Sequence, residues 1–161
     1  MRDRLTPLII PCGEENKKEN KELKMNMSEV QTACEFVRTK LEVIRYSNII
    51  FDILSSLKKF PEGSCKTTSF ILMSLFSSKY KVPKNQLFLL TSQCNEISHA
   101  WVKYNKLHID LTGDQFGKER IIIASFSPWP QTNYQEHPFG EESWDDKYNE
   151  EINRVLQYLS P

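Results

Sequence analysis

Apolar residues at Val30, Cys34, Val37, Leu41 and Ile44 recur at steps of three and four, the spacing of one buried helix face. Ser28, with Gln31 three residues later, reads as a capping box that opens this helix. Cys34 lies in the stripe, which makes it a small buried hydrophobe. After Tyr46-Ser47-Asn48 the pattern resumes through Ile49, Ile50, Ile53, Leu54 and Leu57, as a kinked continuation or a second helix. It ends before Pro61, because the residue ahead of a proline avoids the helical region. The stretch from Cys65 carries Phe70, Ile71, Met73, Leu75 and Phe76 on nearly every side. Such a helix belongs between the sheet and the first helices, with its polar head, Ser64, Cys65 and Lys66, presented at a surface cleft.

The period then changes to two. Gln86 to Leu90 predicts a strand followed by a turn-rich Thr91 to Glu96. Ser98 to Val102 and Leu107 to Thr112 predict two strands joined by a polar turn, and Ile121 to Phe126 another. Pro128, Pro130, Pro138 and Gly140 mark a long loop containing Trp129, Tyr134 and Phe139, either a cleft wall or a stiffened coil over the sheet edge. His137 within it reads as a surface residue. Ser143 to Leu159 predicts a closing amphipathic helix, and Leu8 to Ile10 an edge strand. Helices gathered first and antiparallel strands after them give an α+β class.

At 161 residues the chain suits one domain, 26–161, behind an N-terminal segment, 1–25, that holds the mobile charged run Glu14 to Lys24. Lys plus Arg and Asp plus Glu both number 21, so no net field draws it to nucleic acid or membrane. The start is too short and broken for a secretory signal, and no run reaches membrane-spanning length, so a cytoplasmic location is expected. Cys12, Cys34, Cys65 and Cys94 show neither a Cys-x-x-Cys pair nor dense disulfide spacing.

The chemistry concentrates in three places. Gly63-Ser64-Cys65 puts a thiol in the first turn of a helix, where unpaired N–H groups and the dipole favour the attacking thiolate. With a turn at Asn105-Lys106, His99 and Asp110 are diagonal neighbours on one face of a hairpin, roughly 7–8 Å apart at most. A turn at Tyr104-Asn105 sets them directly opposite instead. Ala100, Val102, Ile109 and Leu111 form an apolar opposite face, the core side, which leaves His99 and Asp110 looking into a cleft. His108 is the rival base, handicapped by Lys103 or Lys106 beside it. Cys65, His99, His108 and Asp110 also compose an alternative zinc set, but no short-spaced ligand pair supports it, and no cofactor or metal is expected.

In order, Gly63-x-Cys65, His99-Ala100-Trp101-Val102 and Ile109-Asp110-Leu111-Thr112 resemble the transglutaminase-like branch of the papain-like cysteine enzymes, over Phe60 to Phe126. The resemblance implies a papain-like fold with Cys65 as nucleophile, His99 as base and then acid, and Asp110 orienting the imidazole. Trp101 would shield the pair or line the cleft. Lys103 stands where an acidic residue is common in the group, and no calcium loop is present. Hydrolysis or small-scale acyl transfer on a peptide, a protein or a small amide is therefore expected over crosslinking. Deamidation, transglutaminase-type exchange and an idle binding module of the same fold are the alternatives. The Cys65 N–H is the expected oxyanion donor, with Gln93, Gln115 and Asn95 candidates for a second. Gln115 is the preferred substrate contact, alongside Trp101, Ser64 and Gln93.

Overall fold

The computed structural model describes residues 24–94, 96–129, 134–140 and 146–160. The expectations at Leu8 to Ile10, Cys12, the charged run up to residue 23, Asn95, Pro130 and Ser143 lie outside the described residues, as does the Cys94 side chain.

Helix α1, Met27–Tyr46, has its N-cap at Asn26, two residues before Ser28. Asn26 caps it by accepting from the Glu29 N–H, while Glu29 accepts from the Asn26 N–H, each at 2.9 Å. An amide and a carboxylate satisfy the orphan donors here, the same physics placed one half-turn earlier. The stripe from Val30 to Ile44 is buried as its spacing requires. Burial pushes the Cys34 thiol up to about 12. Just before the helix, the Met25 N–H donates to the Tyr104 hydroxyl at 3.2 Å, fastening the start of the described chain to the sheet.

Beyond Tyr46 the structure departs from the predicted helix. Ile49 to Leu54 run as irregular chain into a single 3-10 turn, Ser55–Lys59, and Ile50 is exposed. The cause is long-range. The Glu151 carboxylate, on the last helix, accepts from the N–H groups of Asp52, Ile53 and Leu54 at 2.6, 2.9 and 2.8 Å. Three consecutive donors aimed at one buried carboxylate cannot also serve a helix.

Helix α2, Cys65–Ser78, is the central one; Phe70 to Met73, Leu75 and Phe76 are all buried. Strands β1 (Leu87–Cys94), β2 (Ile97–Tyr104), β3 (Leu107–Asp110), β4 (Ile122–Ala124) and β5 (Tyr134–Pro138) form one open antiparallel sheet in the order β4-β3-β2-β1-β5. Two elements exceed the sequence expectation. β1 continues through the stretch read as turns, because its Thr91 to Cys94 backbone pairs with β2. β5 arises inside the proline-rich loop, paired to β1 from Phe88↔Pro138 to Ser92↔Tyr134.

Of the two hairpin registers, Tyr104 pairs with Leu107 and Lys103 with His108, so the turn is Asn105-Lys106, with Asn105 in the left-handed region at φ 52°. Ala100, Val102, Ile109 and Leu111 pack into the helical core as their pattern demands. Helix α3, Asp146–Leu159, buries Ile152, Val155 and Leu159, and sets Tyr148 edge-on to Phe70 of α2 at 6.1 Å. The architecture is thus α+β, helices packed on an antiparallel sheet. Among the described residues no helix is long and apolar enough to cross a membrane.

Glu151→Ala removes the acceptor for three backbone donors. It is expected to destabilise the protein by about 3 kcal/mol, since hydrogen bonds to a charged group contribute roughly 1.5–3 kcal/mol each and water recovers part of the loss. Urea melts compared with Glu150→Ala, one residue away on the same helix, check this.

Candidate active site

Cys65 is the first residue of α2, and the turn before it is held from several sides. Gly63 has φ 64°, a conformation side chains disfavour, and its N–H donates to Gln115 Oε1 at 3.2 Å. The Ser64 hydroxyl donates to the Pro61 carbonyl at 2.9 Å, and the Thr68 N–H donates to the Ser64 carbonyl at 2.8 Å. Among the described residues nothing accepts from the Cys65 N–H, as expected of a first-turn donor.

Two residues expected to contact substrate, Ser64 and Gln115, are engaged within the protein. Ser64 is fully buried beneath the turn, so it braces Cys65 from behind and does not reach the cleft. Gln115 uses both ends of its amide inside the protein, since its Nε2 also donates to the Thr112 carbonyl at 3.0 Å. It ties the Cys65 turn to the end of β3.

His99 opens the buried part of β2, and its Nε2 donates to Asp110 Oδ2 at 2.7 Å. The diagonal geometry of the hairpin delivers this contact. Asp110 Oδ2 also accepts from Trp129 Nε1 at 2.9 Å, while Oδ1 accepts from the Thr112 N–H at 2.8 Å and its hydroxyl at 3.1 Å. Four donors fill the acceptor sites of one carboxylate. His99 and Asp110 are 5% and 1% exposed, so little of either meets solvent. Trp129 and Phe116 cover the imidazole at ring distances of 4.3 and 4.8 Å, and Trp101 stacks behind it at 5.9 Å.

Nδ1 of His99 is buried and has no hydrogen-bond partner among the described residues. An orphaned buried nitrogen is costly, and its retention points to use. The Cys65 thiol lies near enough to act on the titration of this ring and lines the same cavity, without a hydrogen bond of ordinary length to Nδ1. Burial works against a charged ring, yet hydrogen bonding and negative charge from Asp110 and from Cys65 outweigh it and raise His99 to about 9. A ring anchored at one nitrogen and free at the other can take a proton from a thiol and return it.

Trp101 is fully buried and donates through Nε1 to His108 Nδ1 at 3.1 Å. It backs the imidazole and is sealed off from substrate. That bond requires an unprotonated His108 Nδ1. Burial and then Lys103, its cross-strand partner, lower the His108 pKa, which suits the acceptor role. Among the described residues no three side chains of ligand type converge to hold a metal, so the zinc alternative finds no set.

A cavity of about 510 Å³ opens where α2 meets the sheet. Cys65 and His99 both line it, with Lys66, Gln93 and Ser98 at its sides and Gln135 of β5 opposite. Trp129 and Phe116 were not named in sequence as covering the imidazole, nor Gln135 as a cavity residue, although one of the two readings of the loop holding Trp129 was a cleft wall. The first two sit in segments without periodicity, and Gln135 reaches the cavity only because β5 pairs with β1. Arg38 was missed as well. Buried on α1, it holds the segment after β3 by donating to the Leu111 carbonyl at 2.6 Å and to both Asp114 oxygens at 2.9 and 2.7 Å. Comparison with protein-family models, curated proteins and solved structures yields no match to this chain.

The raised His99 pKa sets a pH signature. The folded value lies above the ordinary one of about 6.5, so the stabilisation is fully present below that pH and is lost as pH rises through about 9. In urea melts from pH 6 to 10, the stability advantage of the parent over His99→Gln should shrink across this window. A constant difference would mean that the ring carries no extra proton in the fold.

Proposed function

We propose that this protein is a cysteine-dependent hydrolase of the transglutaminase-like, papain-like type, cleaving an amide bond in a peptide, a protein or a small amide through a thioester. Cys65 is the nucleophile, His99 the base and acid, and Asp110 the group that orients the imidazole. The supporting observation is the buried His99, bonded through Nε2 to Asp110 at 2.7 Å, with Nδ1 otherwise unpartnered and Cys65 on the same cavity. In this reading His99 holds the proton that the Cys65 thiol gives up.

The steps follow from these groups. The sulfur attacks the carbonyl carbon, a C–S bond forms, and the carbonyl electron pair moves to oxygen. The Cys65 N–H donates to that oxyanion at the positive end of α2. Collapse breaks the C–N bond, and the amine leaves with the proton from His99. His99 then takes a proton from water, whose oxygen attacks the thioester; the acid departs, and the proton returns to the sulfur–imidazole pair. Gln93, at the exposed end of β1, is positioned to contact the substrate from the cavity wall.

Incubation with cell extract followed by mass spectrometry should reveal a hydroxylamine-sensitive acyl adduct on Cys65. Iodoacetamide should alkylate Cys65 at pH 6.5 at least about tenfold faster in the parent than in His99→Gln, a threshold set below the roughly hundredfold or more that a general base contributes. Cys65→Ala should abolish turnover while changing stability by less than about 1 kcal/mol. Cys34→Ala should cost about 1 kcal/mol or more through lost burial and keep activity. If Cys65→Ala were the more destabilising and Cys65 alkylated equally slowly in parent and His99→Gln, the thiol would be packing and nothing more.

A further inference from the structure

The cavity beside Cys65 bears on what the enzyme accepts, an inference that rests on the reading just given. Around the thiol and imidazole its surface is made by Thr91, Ser92 and Gln93 of β1, Ser98 of β2 and Gln135 of β5. Pairing explains the collection. Ser92 lies across from His99, Gln93 across from Ser98, and Thr91 across from both Ala100 and Gln135. The Thr91 hydroxyl is bonded to His137 Nε2 at 3.1 Å. The side chains of Ser92, Gln93, Ser98 and Gln135 have no hydrogen-bond partner among the described residues. Among the described residues the lining side chains are mostly polar in type, and no aromatic ring other than the His99 imidazole and no branched aliphatic side chain lines the space.

We propose that the acyl group taken by Cys65 carries a hydrogen-bonding substituent, an amide or a hydroxyl, and that Gln93 and Gln135 select it. Water solvates these side chains in the free protein. An aliphatic group displaces that water and returns no hydrogen bond, which leaves those polar groups unpaired and disfavours its binding. An amide replaces the lost bonds. Asparagine and leucine are close in size, so they separate polarity from fit.

The test uses two acyloxymethyl ketones, N-acetyl-asparaginyl and N-acetyl-leucyl. In each, the Cys65 sulfur bonds to the methylene carbon as the C–O bond breaks and a carboxylate leaves. Mass spectrometry follows the adduct at Cys65, and each rate is divided by the iodoacetamide rate of the same protein. The asparaginyl probe should react at least about tenfold faster, the equivalent of one or two well-made hydrogen bonds. In the double variant Gln93→Leu with Gln135→Leu the ratio should fall to about threefold or less. Equal rates in the parent, a faster leucyl probe, or a ratio unchanged in the double variant would overturn the proposal. Equally slow iodoacetamide rates in parent and His99→Gln would instead overturn the underlying cysteine-enzyme reading, and that outcome shows in the iodoacetamide arm alone.

Discussion

The carboxylate of Asp110 is the point on which the rest of the arrangement depends. Almost fully removed from water, it must be met by donors inside the protein, because an unpaired buried charge is severely destabilising. Its four donors come from three separate places: His99 on β2, Thr112 beyond β3, and Trp129 in the loop after β4. Meeting them all fixes the β2–β3 register, the bend at the end of β3 and the loop that covers the imidazole. A slip of one residue in the hairpin would send Asp110 to the face opposite His99 and leave the His99 and Trp129 donors without their acceptor.

The same requirement reaches the thiol. Thr112 donates to Asp110 and accepts from Gln115, and Gln115 accepts from Gly63, two residues before Cys65. Arg38 clamps the intervening segment from α1 through Leu111 and Asp114. A hydrogen-bonded path therefore joins the turn that opens α2 to the strand end that carries Asp110. Preorganisation of this kind holds reacting groups in place without reorganisation at the moment of reaction.

Among the described residues three buried side-chain polar atoms, on Gln86, His99 and Asn105, have no hydrogen-bond partner, and one of them lies in this network. His99 Nδ1 is as buried as its neighbours and unpartnered, on a ring whose other nitrogen is firmly held. Purely structural histidines have both nitrogens satisfied, as the Trp101–His108 contact nearby illustrates for one of them. The contrast between two histidines on adjacent strands is one of pairing: His108 Nδ1 accepts from Trp101, and His99 Nδ1 has no partner among the described residues.

Much of the scaffold was legible in the chain because it depends on local periodicity. The Val30 to Ile44 stripe, the apolar α2 and the alternation in β2 and β3 each report the face an element must bury. The His99–Asp110 neighbourhood was legible for the same reason, since strand alternation and a short turn limit the pairing to two registers. What escaped depends on partners distant in sequence. Ile49 to Leu57 has a helix's spacing, but Glu151, about a hundred residues away, claims its N–H groups. Tyr134 to Pro138 has a loop's composition, but β1 offers it an open edge. Ser64, Gln115 and Trp101 are the right residues near the right motifs, yet burial and hydrogen bonding turn them inward as braces. Local pattern specifies which face of an element avoids water. Only the assembled fold decides which polar groups find their partners within the protein and which remain for a substrate.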